Sequence, residues 1–146
     1  MPALSRLLPL AFSFLASLTF TVSPASAQDG PVAMAFAVAP EQAYGECVAA
    51  SPQEAAACAM KQCIDGGAAE EDCALVASCF PSGWTARLGI QHSQGVHWAE
   101  YHCGWDSRAA LEAAMKIACD LKRRKDIDMC IITQIWDKDG KPQMEE

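Results

Sequence analysis

Hydrophobic positions along the chain fall into three regimes. From Leu7 to Val22 they run almost unbroken, through Leu8, Phe12, Phe14, Leu15, Leu18 and Phe20, behind a single cation, Arg6. From Val32 to Trp136 they change period several times, and from Asp137 onwards a polar tail, 137–146, replaces them. Within the middle regime, short apolar or alternating runs bounded by turn residues predict strands, and recurrence every three to four positions predicts helices. In its second half, Trp84–Gln91 reads as a strand, Ser93-Gln94-Gly95 as a turn and Val96–Cys103 as the returning strand. Ser107 then stands as a helix N-cap before Ala110, Leu111, Ala114, Met115, Ala118 and Leu121. The cations Lys122, Arg123, Arg124 and Lys125 fall where the negative end of a helix dipole favours them. Met129–Trp136 reads as a buried strand ended by Asp137-Lys138-Asp139-Gly140. The first half is looser: strands at Val32–Val38 and Ala43–Val48, a helix from Ser51-Pro52 to Ile64 with proline at its favoured first position, a stop at Gly66-Gly67, and a strand over Cys73–Cys79.

The two halves repeat each other. Cys47 and Cys63 are spaced as Cys103 and Cys119 are, and at the same offset Ser51 matches Ser107 and Ala57 matches Ala113. Cys73 follows Cys63 much as Cys130 follows Cys119. The expected fold is therefore α+β, a single domain over 28–136 in which two ββαβ units, 32–79 and 84–136, pack together.

The opening apolar run ends Ser23-Pro24-Ala25-Ser26-Ala27, with alanines at the two positions that signal peptidase probes, so residues 1–27 read as a signal peptide cut before Gln28. The run is shorter than the roughly 20 residues a bilayer span requires, and no later stretch is apolar enough to span. Cleavage would remove 27 of 146 residues and one charge, moving the formal net charge from -7 to -8 and keeping all eight cysteines. Such an acidic chain argues against nucleic acid as a partner, and nothing predicts membrane insertion after cleavage. The expected location is periplasmic or secreted, and an even cysteine count there reads as a disulfide framework.

The predicted elements suggest its pairing. Cys63 closes a helix and Cys73 opens the strand returning along it, giving Cys63–Cys73, and the same places in the second unit give Cys119–Cys130. A helix over 52–63 and a strand over 73–79 have lengths of roughly 17 and 20 Å, which brings Cys79 beside Cys47. Cys58 and Cys103 are left to join the units.

The run AAACAMKQC…DCALVASC, followed by WTARLGI…GVHWAEYHCGWDSRAALEAAMKIAC…DMCII, resembles the domain-of-unknown-function 4189 family of small exported, alanine- and cysteine-rich bacterial domains. The resemblance covers residues 32–136, and the first unit departs from the pattern in having no aromatic residue between Tyr44 and Phe80. It implies export and brings no activity or catalytic residues.

Candidate chemistry is sparse. G-x-S-x-G, S-x-x-K and C-x-x-C are all missing from the sequence, and Ser51 and Ser107 serve as caps. Glu70-Glu71-Asp72 reads as a solvated loop. If Gln94-Gly95 makes a two-residue turn, His92 faces His97 across the hairpin beside Leu88, Ile90, Ala99 and Tyr101, a pair able to ligate a transition metal. On the opposite face the same register puts Trp98 with Arg87, Gln91, Glu100 and His102, and Trp84 and Trp105 sit at nearby strand ends. Tryptophan flanked by arginine and histidine is the composition of a binding hot spot. The expected function is thus an exported, non-catalytic binding module without cofactor, suited to an inhibitor or immunity role. Its partner would be a protein or envelope component, met by Trp84, Arg87, Trp98, His102 and Trp105. The rival is a metal-binding protein or enzyme centred on His92, His97 and His102.

Overall fold

A computed structural model describes residues 30–143; the segment read as a signal peptide lies outside them. Ala33–Ala39 (β1) and Ala43–Ala49 (β2) form a hairpin, followed by a helix, Pro52–Asp65 (α1), and a strand, Ala74–Cys79 (β3). The order then recurs as Trp84–His92 (β4), His97–Trp105 (β5), Arg108–Ala118 (α2) and Ile127–Trp136 (β6). The sheets have the orders β2-β1-β3 and β5-β4-β6-β7, so the first strand of each unit is central and its hairpin partner and its post-helical strand flank it. The chain is thus α+β, two ββαβ units stapled by four disulfides. Within the polar segment after Asp137, Pro142–Gln143 (β7) pair with β6 at Ile135 and Trp136.

Both helices begin where the capping serines stand. Ser51 Oγ accepts the Glu54 N–H at 3.3 Å, and Ser107 Oγ accepts that of Ala110 at 3.2 Å. The second helix ends at Ala118, so Lys122–Lys125 lie in the turns beyond it. Arg124 reaches back, its Nη1 donating to the Ala118 carbonyl at 3.3 Å.

Strand alternation sorts side chains into layers. Ala33, Ala35, Ala37 and Ala39 of β1 face α1 and meet Ala55, Ala59 and Cys63. Alanine on both surfaces allows the helix to lie close, and Gly45 on β2 lets the Ala59 main chain approach to where a Cβ would stand. In the second unit Ala86, Leu88 and Ile90 of β4 meet Leu111 and Met115 of α2. The helix-free faces meet each other through Met34 and Phe36 on β1 and Trp136 on β6, and Phe36 stacks on Tyr101 of β5 with ring centroids 4.3 Å apart. The layers run α1, first sheet, second sheet, α2.

The same alternation decides the disulfides. Cys63–Cys73 and Cys119–Cys130 form as expected. The expected Cys47–Cys79 and Cys58–Cys103 do not; the pairs are Cys47–Cys58 and Cys79–Cys103. Cys47 lies opposite Ala35 and so points at α1, where Cys58 waits, whereas Cys79 lies opposite Met34 and points at the second sheet, where Cys103 waits on β5. Cys47 and Cys79 flank β1 on opposite faces, and matching lengths along the strand could not reveal that. All eight cysteines are paired, which fits an extracellular or periplasmic protein; no helix among the described residues is long and apolar enough to cross a membrane.

Candidate binding surfaces on the second hairpin

The turn between β4 and β5 holds the three residues Ser93, Gln94 and Gly95, not the two that would set His92 against His97, and this re-sorts the hairpin candidates. His92 N–H donates to the Val96 carbonyl at 2.8 Å and Gly95 N–H to that of His92 at 2.8 Å, leaving Ser93, Gln94 and Gly95 in the loop. Gly95 takes φ +87°, a conformation that glycine adopts without a Cβ clash. The register then pairs Gln91 with His97, Ile90 with Trp98, Leu88 with Glu100, Arg87 with Tyr101 and Ala86 with His102. A shift of one residue sends each side chain of the returning strand to the other face.

Three corrections follow. His92 and His97 are not cross-strand partners; they lie on opposite faces, and the His92 Nδ1 accepts the Gln94 N–H at 3.1 Å within the loop. Among the described residues no three His, Cys, Asp or Glu side chains are grouped to hold a metal. Trp98, Glu100 and His102 share the α2-facing side with Leu88 and Ile90, and Arg87 points the other way, so the five expected surface residues do not make one surface. Trp84 and Trp105, paired at the end of the hairpin, are partly buried and pack against the second core.

On the α2 side, beyond the helix, Glu100 organises a cluster. Its carboxylate accepts two hydrogen bonds from Arg124, at 2.6 and 3.1 Å, and one from the Trp98 indole N–H at 3.1 Å. The Arg124 guanidinium holds the Glu100 carboxyl below the usual carboxylate range, against partial burial and with help from the indole. Trp98 remains 38% exposed. His102 Nε2 lies 3.9 Å from Glu100 Oε2, is itself buried and makes no hydrogen bond among the described residues. In the sequence Glu100 stands beside Trp98, while Arg124 is one of four cations at a helix end. Only the early stop of α2 brings it across to β5.

Replacing Arg124 by methionine tests this clamp. Because folding lowers the Glu100 pKa, its contribution is present above the unfolded carboxyl value near 4 and fades as pH falls through the folded one. The variant should lose about 1 kcal/mol at pH 7, a modest figure because the pair is partly exposed. Urea unfolding should show that difference shrinking below about pH 4. A loss that does not change with pH would rule out the ion pair as its source.

On the opposite face Arg87 serves as an inter-sheet clasp. Its Nε donates to Thr133 Oγ1 at 3.0 Å, Thr133 Oγ1 donates back to the Arg87 carbonyl at 3.1 Å, and the guanidinium lies 5.7 Å from the Tyr44 ring centroid. Burial pushes the Glu46 carboxyl and the Tyr101 phenol up while the nearby Arg87 charge draws both down. Tyr44 and Glu46 come from the other unit, and no local signal in the sequence links them to Arg87. Compared with family models, curated proteins and solved structures, the chain finds no match.

Proposed function

We propose that the protein is an exported, non-catalytic binding module, a small bacterial domain of the kind the 4189 resemblance implies, whose contact surface is the Trp98 cluster on β5. The observation that carries this reading is the fixed indole. Trp98 is partly exposed on an edge strand, and its N–H is tied to a carboxylate that Arg124 itself clamps. A tryptophan and an arginine held in place before contact lose little side-chain entropy on binding, the condition under which such residues become hot spots. The four disulfides support export and a rigid scaffold of the sort an inhibitor or immunity protein requires. The partner is a protein or envelope component.

The test is capture from the envelope and periplasmic fractions of the source cell, with bound protein quantified by mass spectrometry. Trp98→Ala and Arg124→Ala should each weaken capture about 30-fold, the equivalent of a hot-spot loss near 2 kcal/mol. Gln91→Ala, an exposed position on the opposite face, should leave it unchanged. Retention of the partner by both cluster variants, or failure of the wild type to retain one, would overturn the reading.

A further inference from the structure

A second site, independent of the Trp98 cluster, lies where the two units join. The buried residue Ser82 ties four segments together there. Its N–H donates to the Val32 carbonyl at 2.7 Å, and its hydroxyl donates to the Lys138 carbonyl at 2.7 Å. Its own carbonyl accepts the Gly104 N–H at 2.8 Å and the Thr85 hydroxyl at 3.1 Å. These bonds fix the lead-in to β1, the linker between units, the end of β5 and the β6–β7 turn. The turn is further set by Asp137, whose Oδ1 accepts the N–H groups of Asp139 and Lys141 at 2.9 and 3.0 Å. Between these segments opens a cleft of about 730 Å³, inside the size range of small-ligand sites.

Its lining has three components. Trp105, Pro31 and Pro81 give apolar wall, and Gly104, with nothing among the described residues within 4 Å of where a Cβ would stand, leaves main chain uncovered. The charges are two lysines, 138 and 141, and two aspartates, 106 and 139. Lys138 is paired with Asp139 at 3.0 Å, whereas Asp106 and Lys141 have no ion pair or side-chain hydrogen bond among the described residues. The charges cancel, so the cleft does not select a net-charged ligand. It offers one uncommitted carboxylate acceptor, one uncommitted ammonium donor and an aromatic wall. An uncharged ligand rich in hydroxyls and apolar on one ring face can satisfy all three.

We propose that this cleft is a saccharide-binding site for a short neutral oligosaccharide. One pyranose ring packs on Trp105, with Asp106 accepting from its hydroxyls and Lys141 donating to them. The site needs no partner at Trp98, so either reading can fail without the other.

Titration of the full exported protein with chitotriose, cellotriose, maltotriose and, as an anionic control, trigalacturonate, followed by calorimetry and tryptophan fluorescence, tests it. At least one neutral trisaccharide should bind saturably below about 10 mM. Asp106→Ala and Lys141→Ala, both at exposed positions, should each weaken that binding about tenfold, and Trp98→Ala should leave it unchanged. Because Trp105 also packs against the second core, Trp105→Phe is the variant to use there, and it should reduce affinity without lowering Tm sharply. Absence of saturable binding by every neutral probe, tighter binding of trigalacturonate than of any neutral sugar, or wild-type affinity in both the Asp106 and Lys141 variants would overturn the proposal.

Discussion

Gly45→Ala is expected to cost at least about 3 kcal/mol, the upper part of the range for overpacking a close-packed interior. Gly45 lies on β2 directly under α1, and a Cβ built there meets the Ala59 carbonyl oxygen in direct overlap, with the Ala59 carbonyl carbon and the Cys63 amide nitrogen each at 2.9 Å. All three are main-chain atoms, so no side chain can turn aside and the helix itself must move. It is not free to do so. Cys47–Cys58 ties α1 to β2 and Cys63–Cys73 ties it to the lead-in of β3, while Ala55, Ala59 and Cys63 are fully buried against β1. At roughly 4 °C per kcal/mol for a domain of this size, Tm should fall by about 12 °C. Gly30→Ala, where nothing among the described residues lies within 4 Å of the added atom, is the matched control and should change Tm by little. A fall of less than about 4 °C for Gly45→Ala, read by circular dichroism, would show that the helix yields and that the alanine interface is not close-packed.

The same interface shows what the sequence could reveal. Among the described residues, both helices, six of the seven strands and the doubling of the unit follow from local signals: serine caps, the alanine spacing, glycine stops and the matched cysteine intervals. Only β7, two residues long, lay in what reads as a polar tail. The two cysteine pairs that close a helix on its following strand were legible for the same reason, since both partners belong to one turn of chain direction. The failures share one cause, the parity of strands. Pairing the strands about Gln94-Gly95 alone, when Ser93 also belongs to the loop, reverses the faces of Trp98, Glu100 and His102 relative to Arg87. Matching Cys79 to Cys47 by distance along the unit overlooks that they point to opposite sides of β1. The clasp of Arg87 with Tyr44 and Glu46 depends on how two sheets stack, a long-range fact with no counterpart in spacing.

The second large effect concerns the bond that sequence spacing misassigned. Cys79–Cys103 is the one disulfide that links the two sheets, and it closes the longest sequence interval of the four, 24 residues against 10 or 11 for the others. Loop-closure entropy makes its removal worth about 3.5 kcal/mol, and that of Cys47–Cys58 nearer 3. Replacing both partners by alanine avoids a stray thiol. The consequence should also be localised. The sheets would remain joined by the linker through Ser82 and by the stacking of Phe36 on Tyr101, so the domain should still fold, with its inter-sheet layer loosened first. Cys79→Ala/Cys103→Ala should therefore unfold at lower guanidinium concentration and lose hydrogen-exchange protection around Phe36, Tyr101 and Trp136. Protection of the α1 face of β1 should fall only by the global change. Non-reducing peptide mapping of the wild type should return the Cys79–Cys103 peptide. A Cys47–Cys79 peptide in its place, or a double variant within about 1 kcal/mol of wild type, would mean that the two sheets are not held together by this bond.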